Sequence, residues 1–327
     1  MSYTIPYRTF VKKIVLIILS FCALYLVTSN EERDTFIIEP HNNYFILIGD
    51  TQETGFEEFW RENNWGIRKL LFKKIVDENP DFLIHLGDLV SFGSSASSWN
   101  LLWQDFKIII ENNIYAFPVL GNHDYYGSNL FALDKFYSVF PHLREFTWYT
   151  IRYDSLILLL LNSNFDEISE QEILNQKLWY SERLSELDQD SSVSAIIIIC
   201  HHPPFTNSTV VSDNEEVQEQ FVKPFLDSDK TRIFFSGHAH TFEYFKSDNK
   251  HFFVSGGGGG PRQSTDTSTQ HKYADLVQSS VEVSGKFHYC KMNLSEFNFT
   301  LDLVCLDEQD KDWQTSKSFN INLFPVK

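Results

Sequence analysis

The feature that most constrains this chain is a repeated event. Five short apolar runs, each about the length of a buried strand, end in a turn that delivers Asp, Asn or His. Tyr44-Phe45-Ile46-Leu47-Ile48 stops at Gly49-Asp50-Thr51-Gln52, and Phe82-Leu83-Ile84-His85-Leu86 stops at Gly87-Asp88. The run IYAFPVL enters Gly121-Asn122-His123-Asp124. Ala195-Ile196-Ile197-Ile198-Ile199-Cys200 delivers His201-His202, and Arg232-Ile233-Phe234-Phe235 delivers Ser236-Gly237-His238-Ala239-His240. A single such turn means little, because Asn, His and Asp favour tight turns for backbone reasons alone. Five in succession are hard to explain as packing.

Between these runs the apolar residues recur at helical spacing, over about 57–76, 98–111, 130–140, 171–188 and 216–226. In the first of these helices Phe59, Trp60, Leu70, Leu71 and Ile75 form the expected buried side. In the fourth it is Ile173, Leu174, Leu178, Trp179 and Leu184. Short buried strands alternating with amphipathic helices predict right-handed crossovers and a mainly parallel sheet. TWYTIRY and SLILLLLN read as a hairpin turned at Asp154, and after His240 only strands are expected, so the chain should finish in antiparallel sheet. Ligands of an open sheet of this kind gather at the carboxyl ends of its strands. Asp50, Asp88, Asn122, His201, His238 and His240 all occupy such positions. Their mixture of carboxylate, amide oxygen and imidazole suits two first-row transition ions rather than a calcium cage or a thiolate zinc site.

Composition narrows the partners. Thirty Phe and seven Trp against fourteen Gly suggest a packed globular body, and a formal net charge of −17 argues against a nucleic-acid duplex as partner. Arg8, Lys12 and Lys13 precede an apolar run from Ile14 to about Thr28, so residues 1–29 read as a signal peptide or an uncleaved membrane anchor. Either places the body outside the cytoplasm: secreted, periplasmic, lumenal or tethered, with membrane contact only through that segment. Cys290 and Cys305 lie on neighbouring expected strands, although a simple hairpin register does not set them opposite each other. Asn207, Asn293 and Asn298 each head a glycosylation sequon. Gly256 to Gly260, followed by Pro261-Arg262, reads either as a flexible surface loop or as bare backbone approaching a phosphate that Arg262 contacts.

In this order, Gly-Asp-x-x, Gly-Asp, Gly-Asn-His-Asp, a His after a buried strand and Gly-His-x-His resemble the calcineurin-like metallophosphoesterase superfamily, over about Tyr44 to His240. The purple acid phosphatase and cyclic-nucleotide phosphodiesterase branches look nearest. The resemblance implies a four-layer α/β/β/α sandwich over 40–327, with two mixed sheets flanked by helices and the β segments of 281–324 closing the second sheet. It implies two transition-metal ions (Fe, Mn or Zn) bridged by Asp88, one completed by Asp50, Gln52 and His240, the other by Asn122, His201 and His238. It implies phosphoester hydrolysis by a hydroxide held between those ions, with His123 as general acid oriented by Asp124, and Asn122, His202 and Arg262 contacting a phosphorylated substrate. A phosphatase is the first expectation, a phosphodiesterase or nucleotidase the second, and a non-catalytic metal-binding protein that kept the fold the third. Two positions depart from relatives. Gln52 stands where many carry His, which weakens the first ion's ligand set. Ser91 stands where the purple branch carries Tyr, which removes the tyrosinate colour and the need for a ferric ion.

Overall fold

The strand Ala195–Ile199 (β7) shows why the interior is layered. All five of its residues are buried, and period-two alternation sends Ile197 and Ile199 into one apolar cluster while Ile196 and Ile198 enter another. A strand apolar on both faces needs cover on both sides. Here one side is a second sheet and the other is helix. The computed structural model describes residues 34–55, 62–64, 66–143, 146–266, 268, 271–277, 285–295, 298–309 and 311–322. The described residues from Phe36 onward form one unit.

In chain order the first sheet-forming strands are Thr35–Ile38 (β1), Tyr44–Ile48 (β2), Phe82–His85 (β3) and Tyr115–Pro118 (β4). The middle of the chain adds Tyr149–Tyr153 (β5), Leu156–Leu160 (β6), β7, Thr231–Ser236 (β8), Phe242–Ser247 (β9) and Lys250–Ser255 (β10). The last three are His288–Leu294 (β11), Asn298–Asp307 (β12) and Asp312–Asn322 (β13). They make two mixed sheets, a seven-stranded one ordered β1-β5-β6-β7-β8-β10-β9 and a six-stranded one ordered β13-β12-β11-β2-β3-β4. The five ligand-delivering strands are divided between them: β2, β3 and β4 run parallel in one, β7 and β8 parallel in the other. The β11–β13 meander joins the sheet of β2, pairing β11 antiparallel to it.

Helices Ile67–Glu78 (α1) and Ala96–Glu111 (α2) cover the six-stranded sheet through Leu71, Phe72, Ile75, Leu102 and Phe106. The single turn Asn122–Tyr125 (α3) and Asn129–Val139 (α4) follow β4. Glu170–Gln189 (α5), Glu215–Val217 (α6) and Lys223–Asp227 (α7), the last two joined by a π-helical stretch Gln218–Val222, carry apolar residues into the outer cluster over the other sheet. This is the expected α/β architecture of two mixed sheets flanked by helices.

Several local expectations shift. The first helix starts at Ile67, and Phe59 and Trp60 lie outside the described residues. The buried face of α5 is Gln176, Tyr180, Leu184 and Leu187, leaving Leu174 and Leu178 about half exposed. The reason is polar: the Gln176 amide accepts from Asn162 N (2.7 Å) and donates to Asn162 O (2.8 Å), which rotates the helix to bring it inward. Asp154 turns the β5–β6 hairpin in the left-handed region. Cys290 lies opposite Leu303 and Cys305 opposite His288, and both are free thiols. Asn207 is a poor glycan acceptor in the folded chain, because it is buried with its amide donating to the Tyr273 carbonyl and accepting from Tyr273 N. No helix among the described residues is long and apolar enough to cross a membrane, and residues 1–29 lie outside them.

Candidate metal centre

Three of the ligand candidates leave their strands in an unusual way. Asp50 (φ 59°), Asp88 (φ 56°) and His238 (φ 66°) all adopt the left-handed conformation, each directly after a glycine. A residue with a Cβ adopts that region at a cost of about 1–3 kcal/mol, and such strain gathers at functional sites. Here it folds each chain end sharply back, and neighbouring backbone holds the turns: Asp50 N donates to Gly87 O (3.0 Å), Thr51 N to Asp88 O (3.0 Å) and Gly260 N to Asp50 O (2.8 Å).

The side chains so delivered meet where the carboxyl edges of the two sheets adjoin. One half of the cluster is Asp50, Asp88 and His240, whose ligand atoms lie within 4.8 Å of one another. His240 Nε2 is 3.5 Å from Asp50 Oδ1. Gln52 sits among them, its amide nitrogen 3.3 Å from Asp88 Oδ2 and 3.2 Å from His240 Nε2, while the buried Oε1 has no partner. The other half is built on His201. Its Nε2 lies 3.2 Å from Asn122 Oδ1, 3.4 Å from Asp88 Oδ2 and 3.2 Å from His238 Nδ1. His202 completes a trio with His201 and His238, its Nδ1 2.9 Å from Ser163 Oγ.

The proton inventory of these rings fits a cation. His201 Nδ1 faces Leu86 O (2.8 Å), and His240 Nδ1 faces Pro261 O (2.7 Å). A carbonyl can only accept, so each Nδ1 carries the hydrogen, and in the neutral ring each Nε2 turns a lone pair inward, the arrangement that metal-ligating histidines adopt. Around His201 Nε2 then stand two acceptors, an amide oxygen and a carboxylate oxygen, and a second imidazole nitrogen. Gln52, turned half a rotation about its amide, would place the partnerless Oε1 in the same position on its side, since the two amide ends are interchangeable in shape. These residues therefore fit two divalent ions, Asp50, Gln52, Asp88 and His240 holding one and Asp88, Asn122, His201 and His238 the other.

Electrostatics agree. Burial raises the Asp88 carboxyl, but His201 and His123 outweigh it and hold Asp88 well below the usual carboxylate range. Burial lowers His201, yet Asp88 beside it carries the imidazole up to about 9. A proton and a metal thus compete for the same nitrogen, which makes metal affinity rise with pH. Burial with the neighbouring His201 drives His202 down to about 3, and burial with His202 and His201 puts His238 well below its ordinary value.

Two expected roles change. Asp124 does not orient His123: its oxygens accept from the backbone N–H of Asp88 (2.9 Å), Leu89 (2.9 Å), Val90 (3.3 Å) and Gly121 (3.0 Å), fixing the loop that carries Asp88. Burial and the nearby Asp88 charge push Asp124 up to about 8 against those donors. His123 is held by the Ser91 carbonyl, 3.0 Å from its Nδ1, which leaves Nε2 toward the cluster, 3.9 Å from Asp88 Oδ2, with the side chain 21% exposed. Arg262 is engaged by other side chains than those of the cluster. Glu62 (3.0 Å at Nε) and Glu308 pair with its guanidinium, which lies 4.5 Å over the Phe287 ring. The glycine run is likewise neither a surface loop nor a phosphate cradle. Gly256 to Gly260 are buried as a strap behind the first half, where a Cβ on Gly260 would lie 2.7 Å from His240 Cε1.

Sequence reasoning missed the supports. His85 accepts from Gly87 N (3.2 Å) and meets Thr51 Oγ1 (2.9 Å), tying the first two loops together, and burial lowers it to about 3. A His within an apolar strand two residues before Gly-Asp was the available signal. Tyr126 accepts from the Asn122 amide (2.9 Å) and packs its ring 4.4 Å from that of His123.

A model of the family described as calcineurin-like phosphoesterase matches residues 44–242, well over half of the 327-residue chain. No curated protein matches the chain. Among solved structures, GAP50, the anchor in the inner membrane complex of Plasmodium, superposes with a TM-score of 0.61 at 15% identity, over 85% of this chain and 88% of that one. A dimetal phosphatase from Danio rerio gives 0.59 at 13% identity, over 86% and 98%. PhoD gives 0.57 at 10% identity, over 86% and 70%. At these identities the structural likeness speaks for the fold.

Proposed function

The chain belongs to the calcineurin-like phosphoesterase family, and we propose that it is a phosphatase working on small phosphoesters with two transition-metal ions, of the Mn, Fe or Zn kind, held by the cluster above. The observation that carries this reading is the convergence of acceptor atoms on Asp88, His201 Nε2 and His240 Nε2. When bound, the ions supply a water of lowered pKa and polarise the phosphoryl oxygens. The protein does the rest. Asp88 spans both halves of the cluster, and Asp124 fixes its loop by taking up the backbone N–H groups that would otherwise be orphaned. Asn122 is shared between His201 and Tyr126, so its oxygen stays aimed at the cluster and its nitrogen away. His123, with Nδ1–H donated to Ser91 O, offers Nε2 to the departing ester oxygen, and in its protonated form delivers the proton there.

The test is His123→Ala. Turnover on phosphomonoesters should fall about 10²–10⁴-fold, the usual contribution of a general acid, with metal content unchanged. Equal turnover in the variant would remove His123 from the chemistry. A second reading, a non-catalytic protein that keeps fold and metal, draws on the likeness to GAP50, described as an anchor, and predicts no turnover in either protein. Export through the segment 1–29 stands as a further proposal, checked by the amino-terminal sequence of protein recovered outside the cytoplasm.

A further inference from the structure

Beside His123 the surface is aromatic where a phosphate site would be expected to be polar. Phe92 is 46% and Tyr126 39% exposed, with ring centroids 6.2 Å apart. Leaving two large rings in water forgoes apolar burial. They are also held firmly: Gly93 N donates to His123 O (2.8 Å), Ser94 N to Tyr126 O (2.9 Å) and the Trp99 indole to Gly93 O (2.6 Å). Gly127 sits at φ +98°, and a Cβ there would lie 2.7 Å from the Phe92 ring, so backbone rather than side chain backs that ring. Phe92 is the next residue after Ser91, whose carbonyl holds the His123 imidazole, and Tyr126 is bonded to Asn122. The proton donor and the two rings thus share one support.

We infer that the substrate's leaving group carries a flat aromatic ring that packs against Phe92 and Tyr126, stacking on one and meeting the other nearer its edge, since the two rings stand at 64° to each other. The inference rests on the phosphoester reading and on His123 as donor. A general acid stands at the leaving oxygen, so whatever is attached to that oxygen emerges on the His123 side, against these rings. A bare sugar or short alkyl chain would leave the rings wet. A nucleoside base or an aryl group would cover them.

Two matched pairs of esters test this with the manganese-loaded full chain: adenosine 5′-monophosphate against ribose 5-phosphate, and benzyl phosphate against butyl phosphate. Within each pair the leaving oxygen is a primary alkoxide, so reactivity is nearly matched and the ring is the main difference. We expect kcat/KM to favour the ring-bearing ester about tenfold in at least one pair, in line with the contribution of stacking on an aromatic side chain. Which pair responds tells base from aryl. Phe92→Ala should abolish most of that preference, and Phe92→Tyr should keep it. No preference in either pair, or one that survives Phe92→Ala, overturns the inference while leaving phosphoester hydrolysis intact. No turnover of any of the four esters by protein carrying its metals overturns both.

Discussion

The two halves of the cluster are built by different means. Around Asp50, Gln52 and His240 the side chains are buried, and the support is backbone: a glycine strap in contact distance, and turns bonded to one another. In the other half His201 is buried against the Leu86 carbonyl, but Asn122, His123 and His202 rest on single groups of Tyr126, Ser91 and Ser163, and these three with His238 are partly open to solvent. Asp88 brings one oxygen to both, its Oδ2 lying 3.3 Å from Gln52 Nε2 and 3.4 Å from His201 Nε2, and Asp50 accepts from the backbone N–H of His238 (3.0 Å). The contrast separates a half that holds position from a half that meets substrate, since a group that delivers a proton has to be reached and a group that only anchors an ion does not.

Breaking the shared member should cost most. Asp88→Asn is expected to lower kcat at least about a thousandfold, the upper end of losing one electrostatic stabiliser, and to drop metal content from two ions to one or fewer per chain. Retention of both ions would mean that the halves are independent. A second common element is Glu243, buried three residues after His240, which accepts from Thr206 Oγ1 (2.6 Å) and Asn207 N (2.6 Å) in the loop after His202. Burial raises its pKa from 4.5 to about 7. The folded state therefore holds this proton more tightly than the unfolded one. Stability from Glu243 is full below pH 4.5 and is lost as pH rises through 7, on the order of 3 kcal/mol. Urea unfolding of wild type against Glu243→Gln at pH 4 and pH 8 should show that difference opening with pH, and a constant gap would contradict it.

Sharper discrimination comes from the strap. Gly260→Ala forces a methyl against His240 and is expected to lower stability by about 1–3 kcal/mol, the usual cost of overpacking, measured as Tm. It should weaken the first ion more than the second, and equal weakening would erase the contrast. Smallest is Gln52→His, which adds an imidazole to the anchoring half and should tighten the first ion on the order of tenfold by competition with a chelator.

Why some of this was legible in sequence and some was not follows from range. Asp50, Asp88, Asn122, His201, His238 and His240 each stand within four residues of the end of an apolar strand, so a local pattern places them at one sheet edge. The alternation points to parallel strands, whereas the division into two mixed sheets is what the family resemblance implied. What escaped depends on partners distant in the chain. Arg262 looked available until Glu62, 200 residues earlier, took it. The glycine run looked flexible because its composition says nothing of His240 or Gly49 packed against it. The α5 face departs from its apolar pattern because Gln176, polar by type, is drawn inward by Asn162. Asp124, next to His123 in sequence, serves the Asp88 loop instead, 36 residues away.

The account stands on one physical claim, that acceptor atoms from five strand ends hold two cations. Elemental analysis of the purified chain, loaded at neutral pH and then freed of loosely bound metal, tests it directly. Two transition-metal ions per wild-type chain, falling to one or none in Asp88→Asn, is the predicted result; a correctly folded wild-type chain that retains no transition metal would contradict it.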